Sequence, residues 1–349
     1  MYKQLFHFLV YVLCMNLAAG MQQIDLQFDG SNRSYLLYKP KNFNPSKPIN
    51  LVVGVHGYSG TASAFEAEVT GGFNKAADKF NFLAVYPQGS YFYDNGFFFS
   101  SFNDNAGSQS FSKSSSTGET CDVDTKRFPY PYFKNCENPS RCAWASCSND
   151  LGFVATVIQN IQEKLIVEDV YVVGNSNGGM FAQAFGCAYP DVVTGVMSVN
   201  GMQMLGNSCI PAKPVSFLIY GSFHDKTVPP INIRSQDGYF YEPMQNTIDE
   251  WSTKFECDLS SSNEYSNLER FIVTRYSGCK GDKQILSILN LDADHMWPET
   301  GYNPATGKSS YFQIGYCKTD AQPEIIYPNC EQDSEIWGTF FLLERLFSL

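Results

Sequence analysis

Ten consecutive residues constrain this chain more than any other stretch: Tyr171-Val172-Val173-Gly174-Asn175-Ser176-Asn177-Gly178-Gly179-Met180. They read as a short apolar strand, a sharp turn carrying Gly-x-Ser-x-Gly, and the start of a helix over residues 180–189. A serine hydroxyl is a poor nucleophile unless it is exposed, held still and set beside a base. A tight strand-to-helix turn does the first two. Its flanking glycines let the backbone bend and let neighbouring chain come close. The amide of Asn177 would open the helix, where unpaired N–H groups favour an oxyanion. Small residues at this spacing also occur in plain Gly/Ser turns, but the strand before and the helix after are the context a nucleophile needs.

The rest of the chain alternates in kind. Residues 24–28 and 34–38 read as a starting hairpin turning at Asp29-Gly30-Ser31-Asn32. Apolar runs at 50–55, 82–86, 170–173, 192–199, 214–220 and 284–291 suit strands buried on both faces of a parallel sheet. Between them lie helix-spaced segments at 61–80, broken around Gly71-Gly72, at 150–165 with Asn149 or Asp150 as N-cap, and at 244–255. A last helix is expected over 335–347. Strands alternating with helices imply an α/β architecture: a mostly parallel sheet with helices on both faces. From about residue 90 to 148 the periodicity vanishes, and four cysteines fall within 121–147. A loop that long inside a compact domain tends to be functional or stapled, and those cysteines are expected to staple it internally. No Pro- or Gly-rich linker divides the chain, so residues 21–349 read as a single catalytic domain with a cysteine-rich insertion at about 90–148.

Compartment follows from the N-terminus and the cysteines. Lys3, an apolar stretch over 5–17 and Ala18-Ala19-Gly20 read as a cleaved signal peptide, residues 1–20, rather than a membrane anchor. Of the 11 cysteines, Cys14 lies in that segment. The even remainder, Cys121, Cys136, Cys142, Cys147, Cys187, Cys209, Cys257, Cys279, Cys317 and Cys330, implies up to five disulfides in an exported, extracellular chain. No Cys-x-x-Cys pair exists to hold a metal. Asn32-Arg33-Ser34 is the glycosylation sequon. The net charge of −11, with no dense basic run, excludes a nucleic-acid surface. No membrane partner is expected after signal cleavage, and a monomer is expected.

A nucleophilic Ser176 needs a base, and the chain offers four histidines. His7 leaves with the signal. His56 ends an early strand beside Gly57. His224 adjoins the best acid candidate, Asp225, too closely for the usual orienting geometry. His295 follows the last strand and is the expected base. Asp225, just past the strand at 214–220, would fix its tautomer and stabilise the imidazolium. Asp249, Asp292 and Asp294 are weaker acids. The order Ser176, Asp225, His295 is the one that α/β-hydrolases use.

These residues carry a more specific likeness. Arg33-Ser34-Tyr35-Leu36-Leu37-Tyr38-Lys39-Pro40, His56-Gly57, Tyr86-Pro87-Gln88-Gly89, Asn149-Asp150-Leu151-Gly152-Phe153, the Ser176 turn, Tyr189-Pro190-Asp191, Asp225 with Val228-Pro229, and His295 with Trp297-Pro298 resemble the polyhydroxybutyrate depolymerase and feruloyl esterase group of α/β-hydrolases. The chain departs from that group in having Ala293-Asp294 before its histidine, a longer Gly221-to-Asp225 interval and a longer insertion. The resemblance implies a secreted serine carboxylesterase with Ser176 as nucleophile, His295 as base and Asp225 as orienting acid. It also implies an oxyanion hole from the Tyr58 and Asn177 amides, and no metal or organic cofactor. His56 and Trp297 are expected to line the substrate site. The aromatic run at 91–102 reads either as a platform for an aryl ester or polymer chain, or as a hairpin packed on the body. Feruloyl or acetyl polysaccharide esters, or a hydroxybutyrate polyester or its oligomers, are the expected substrates. The rival readings are a catalytically silent binding protein and a serine peptidase on the same fold.

Overall fold

The computed structural model describes residues 20–68, 73–106, 114–115, 118–123, 126–137, 139, 142–262, 271–291, 293–295, 297–298 and 337–349. The expected leader, apart from Gly20, and the segment holding Cys317 and Cys330 lie outside the described residues. In chain order the strands are β1 (Gly20–Phe28), β2 (Ser31–Lys39), β3 (Ile49–Val55), β4 (Phe82–Pro87), β5 (Ser90–Asp94), β6 (Phe97–Ser101), β7 (Ser114–Ser115), β8 (Gly118–Glu119), β9 (Val167–Asn175), β10 (Gly195–Val199), β11 (Ser216–Ser222), β12 (Asp258–Ser262), β13 (Phe271–Ser277) and β14 (Ile285–Asn290). The helices are α1 (Ala62–Glu68), α2 (Phe73–Phe80), α3 (Asp150–Gln162), α4 (Asn177–Ala188), α5 (Met244–Lys254) and α6 (Trp337–Phe347).

Ten strands form one sheet in the order β1-β2-β4-β3-β9-β10-β11-β14-β13-β12. From β4 to β14 the pairings are parallel, and the strands beyond them on each side are antiparallel. The central strands are apolar on both faces because both faces are covered. In β3, Leu51, Val53 and Val55 join one core cluster and Val52 the other. The first cluster takes Phe153 of α3, Phe181 and Phe185 of α4, and Trp251 of α5. The second takes Phe65 of α1, Phe73 of α2, and Leu342 and Leu346 of α6. Side chains alternating across a strand thus feed two helix layers.

The first hairpin is tighter than the sequence reading had it. Phe28 pairs with Ser31, so Asp29-Gly30 alone makes the turn. Both residues have positive φ, 47° and 72°, which is the two-residue turn whose twist matches a β-hairpin. The aperiodic insertion also holds regular structure. β5 and β6 form an antiparallel hairpin with Tyr93 opposite Phe98, and β7 with β8 forms a short ladder. Two bridges, Cys121–Cys142 and Cys136–Cys147, close the insertion on itself, while Cys187–Cys209 and Cys257–Cys279 staple the body.

From β3 the chain runs out to β4, then returns past β3 to β9. Strand order therefore reverses between β3 and β9. In open parallel sheets that reversal opens a crevice at the strands' carboxyl ends. Residues 56–60 leave β3 there, and Ser176 leaves β9.

Candidate active site

Ser176 is the N-cap of α4 and sits at φ 56°, ψ −123°. A non-glycine residue held there costs about 1–3 kcal/mol and persists only where its surroundings fix it. They do so here. The Ser176 N–H donates to the Val199 carbonyl at 2.8 Å, and its own carbonyl accepts from Gly179 at 2.8 Å and Met180 at 3.0 Å. Close packing explains two of the motif's glycines. A Cβ on Gly174 would lie 2.0 Å from the Gly178 carbonyl oxygen, and one on Gly178 would lie 2.1 Å from that of Val55. The turn can be this sharp only without those side chains.

Asp225 and His295 arrive from β11 and β14. Two backbone bonds join the loops that carry them: Phe223 N–H to Asn290 O at 2.8 Å, and His224 N–H to Ala293 O at 3.0 Å. His224 itself is exposed, with its ring 5.5 Å from that of Phe223. Oδ1 of the buried Asp225 accepts the N–H groups of Thr227 and Val228, each at 2.8 Å. Its Oδ2 accepts from His295 Nδ1 at 2.6 Å. Because the carboxylate can only accept, Nδ1 carries the imidazole proton and Nε2 is left as an acceptor. Ser176 Oγ donates to that Nε2 at 2.8 Å. A hydrogen-bonded line Ser176–His295–Asp225 is therefore complete, and it is the geometry in which an imidazole can take a hydroxyl proton.

Gly57 lies against the serine: a Cβ there would be 3.3 Å from Ser176 Cβ and 3.8 Å from Oγ. The next peptide N–H is that of Tyr58, and the first of α4 is that of Asn177. Among the described residues no backbone carbonyl accepts either one. Two donors beside a half-buried hydroxyl, one at a helix N-terminus, can hold an oxyanion. The Tyr58 ring is wedged into the insertion, 5.2 Å from Tyr130 and 5.6 Å from Trp144. Burial pushes its hydroxyl pKa up.

His56 and Trp297 do not line the site, contrary to expectation. His56 is 1% exposed. Its Nδ1–H donates to the Gly57 carbonyl at 2.8 Å, and Nε2 accepts the Gly89 N–H at 3.0 Å. Burial, helped slightly by the Arg33 charge, lowers its pKa to about 4, so it stays neutral and pins the loop after β3 to the loop after β4. Trp297 is 0% exposed. It packs edge-on against Phe65 and Phe73, each at 5.8 Å, and its Nε1–H donates to Thr339 Oγ1 at 2.9 Å. Being large and apolar, it anchors the His295 loop to the α1–α2–α6 layer.

Two devices escaped the sequence reading. The side chain of Asn177 clamps Phe102, accepting its N–H at 2.7 Å and donating to its carbonyl at 3.0 Å. The buried Asp150 accepts from Arg33 at 2.7 Å, Ser90 Oγ at 3.1 Å, Asn103 N–H at 2.8 Å and Ser146 Oγ at 2.5 Å. Both tie the insertion to the body. The sequence offers Asp150 only as an alternative N-cap, a place the structure gives to Asn149, and Arg33 only within the sequon and the resemblance. Their joint role is hidden there because their partners lie far along the chain.

The model of the alpha/beta hydrolase fold matches residues 50–230, more than half the chain. The chain belongs to the α/β-hydrolase fold family. No curated protein matches it in sequence. Among solved structures it is similar to an acetyl xylan esterase from Aspergillus awamori, at 16% identity over 80% of this chain and 95% of that one, with a TM-score of 0.52. It is also similar to an S-formylglutathione hydrolase from Agrobacterium tumefaciens, at 11% identity over 80% and 90% of the two chains, TM-score 0.45. A ferulic acid esterase from Anaeromyces mucronatus aligns at 12% identity over 79% and 85%, TM-score 0.41. At 16% identity the acetyl xylan esterase likeness is one of fold. No described group of three His, Cys, Asp or Glu residues is placed to hold a metal, and no described helix is long and apolar enough to cross a membrane.

Proposed function

We propose that this α/β-hydrolase is a secreted serine carboxylesterase acting through an acyl-enzyme on Ser176. The observation that carries the reading is the line of hydrogen bonds from Ser176 Oγ through His295 to Asp225, drawn from three separate elements. In the first half-reaction the Oγ proton moves to His295 Nε2 as Oγ bonds to the ester carbonyl carbon. The resulting oxyanion rests on the Tyr58 and Asn177 amides. The C–O bond to the alcohol then breaks, and the alkoxide leaves with the imidazolium proton. Water repeats the sequence: His295 takes its proton as the hydroxide bonds to the carbonyl carbon, the C–Oγ bond then breaks, and Ser176 Oγ leaves with the imidazolium proton.

Feruloyl or acetyl esters on polysaccharide, and hydroxybutyrate polyesters or their oligomers, are the substrate classes, with the acetyl xylan esterase fold likeness favouring the first. Residues 1–20 act as the signal peptide, 21–349 as one catalytic unit working as a monomer, and Asn32 as a glycan acceptor. Four disulfides among the described residues support an oxidising, extracellular setting.

The test is hydrolysis of p-nitrophenyl acetate by wild type and Ser176→Ala, followed by kcat/KM on feruloyl, acetyl and hydroxybutyrate esters. The variant is expected to fall by on the order of 10⁴-fold or more. No turnover by wild type, or an undiminished variant, would mean a silent binding protein or a different nucleophile. Faster cleavage of a peptide amide than of the ester would make the protein a peptidase.

A further inference from the structure

A second concavity opens at the same edge of the sheet, away from Ser176. It is a cleft of about 680 Å³ between the β1–β2 hairpin, the chain leaving β4, and the insertion. That volume is within the range of small-ligand sites. Its floor is Gln88–Gly89–Ser90, just past the carboxyl end of β4. Behind Gly89 stands His56, and beyond His56 is Gly57, which touches Ser176. The cleft therefore shares a wall with the oxyanion loop and lies two strands from β9.

Its lining is mixed. Gln23, Asp25 and Asn135 supply amide and carboxylate groups, Lys134 an ammonium, and Tyr91 and Phe133 rings. Arg33 also faces it, but that guanidinium is committed to Asp150 at 2.7 Å and lies over the Phe153 ring at 4.0 Å. The remaining charges, Asp25 and Lys134, offset one another, so the cleft selects for neither an anion nor a cation. Gln23 donates to Asp25 and Asn135 to Ser148 through their amide nitrogens, and each amide also carries an oxygen that can only accept.

The hairpin beside the cleft has two unlike faces. Phe92 stacks on Phe99 and meets Phe133 edge-on at 4.8 Å, which packs that face onto the insertion. On the other face Tyr91, Tyr93 and Phe98 form a cluster with ring centres 5.4 to 6.4 Å apart. Tyr91 is 58% and Tyr93 65% exposed. The hairpin is not loose: Ser59 N–H donates to the Ser100 carbonyl at 2.8 Å, and Asn177 holds Phe102. Rigid exposed rings cost little entropy to engage and offer flat apolar faces with a polar edge. Next to amide donors and acceptors with balanced charge, they match a neutral chain that shows hydroxyls at its rim and C–H faces above and below.

We infer that the cleft and the Tyr91–Tyr93–Phe98 cluster that adjoins it through Tyr91 bind a neutral saccharide chain, holding a polysaccharide beside the nucleophile while the ester it bears is cleaved. This rests on the esterase reading for its purpose, but not for the binding itself. The test uses the full chain as Ser176→Ala in affinity electrophoresis through gels containing deacetylated xylan, alone and with Tyr91→Ala or Asn135→Ala added. In parallel, active Tyr91→Ala and Asn135→Ala are compared with wild type on acetylated xylan and on p-nitrophenyl acetate. Phe97→Ser, at the hairpin tip outside the cleft, serves as control.

Xylan should retard the Ser176→Ala protein, and either added change should cut that retardation at least fivefold. The ratio of kcat/KM on acetylated xylan to that on p-nitrophenyl acetate should fall at least fivefold in both cleft variants, through KM, and stay at the wild-type value in Phe97→Ser. Three results overturn the proposal. They are no retardation by xylan, an unchanged ratio in the cleft variants, and retardation seen only after Asn32→Gln, since Asn32 also lines the cleft and that result would make the chain's own glycan the occupant. Retardation by xylan in a protein that never hydrolyses p-nitrophenyl acetate would remove the esterase reading and leave the cleft's ligand standing.

Discussion

Water does not reach the imidazole of His56, and its two nitrogens already have partners in the Gly57 carbonyl and the Gly89 N–H. A proton added to Nε2 would break the second bond and bury a charge beside Arg33. That is why its pKa drops from 6.5 to about 4. The unfolded chain binds the proton first, so stability is full above pH 6.5 and is lost as pH falls toward 4. At 1.36 kcal/mol per pKa unit the loss is about 3 kcal/mol. Urea midpoints measured between pH 7 and pH 4 should show it, and the wild-type curve should be steeper than that of His56→Gln by this amount. Trp297→Ala should cost about 3–5 kcal/mol in the same assay, because it empties a filled core position under the His295 loop. A change near zero would place that ring outside the core.

The elements show which features a sequence exposes. The β9–α4 turn is legible because its constraint is local: glycines where no Cβ fits, and a serine between them. Buried strands such as β3 and β11 are legible as apolar runs, since both faces meet helices. β5 and β6 are not, because one face is aromatic and packed while the other is aromatic and exposed, which leaves no alternation to read. β13 escapes for a related reason, as Phe271-Ile272-Val273-Thr274-Arg275-Tyr276 has exposed Ile272 at the antiparallel side of the sheet. Asn177 could be placed by sequence as an amide at a helix start, but not as a clamp, since its partner Phe102 is 75 residues away. Asn177→Ala leaves a buried N–H and a buried carbonyl on Phe102 without partners. It should cost about 1–3 kcal/mol in urea unfolding, and hydrolysis should weaken as the insertion loses its hold on the elbow. Unchanged stability would mean that the Asn177 side chain does not carry the insertion.

Across the molecule, the site is assembled from four loops at one edge of the sheet, after β3, β9, β11 and β14, and held by a stapled insertion with its own aromatic core. The insertion's role could not be read from its sequence, because disulfide pairing and long-range ring contacts leave no periodic trace. Cys121–Cys142 and Cys136–Cys147 close the insertion on itself. Replacing Cys121 and Cys142 by Ser should cost about 2–5 kcal/mol, and limited proteolysis should then cut first within residues 103–148. Tyr58 packs on Trp144 and Tyr130, so p-nitrophenyl acetate hydrolysis should fall as well. Equal proteolysis of both proteins would show that the bridges do not order the insertion. The order Ser176, Asp225, His295, by contrast, was legible without the structure, because α/β-hydrolases place each of these residues after a strand of one parallel sheet. The most direct test of that account is to quench the protein during turnover of a slow aryl ester and map the modified peptide by mass spectrometry. The acyl group should sit on Ser176, accumulate further when His295 is replaced by Ala only if acylation survives, and be absent from Ser176→Ala. An acyl group on any other residue, or turnover with Ser176 unmodified, would contradict it.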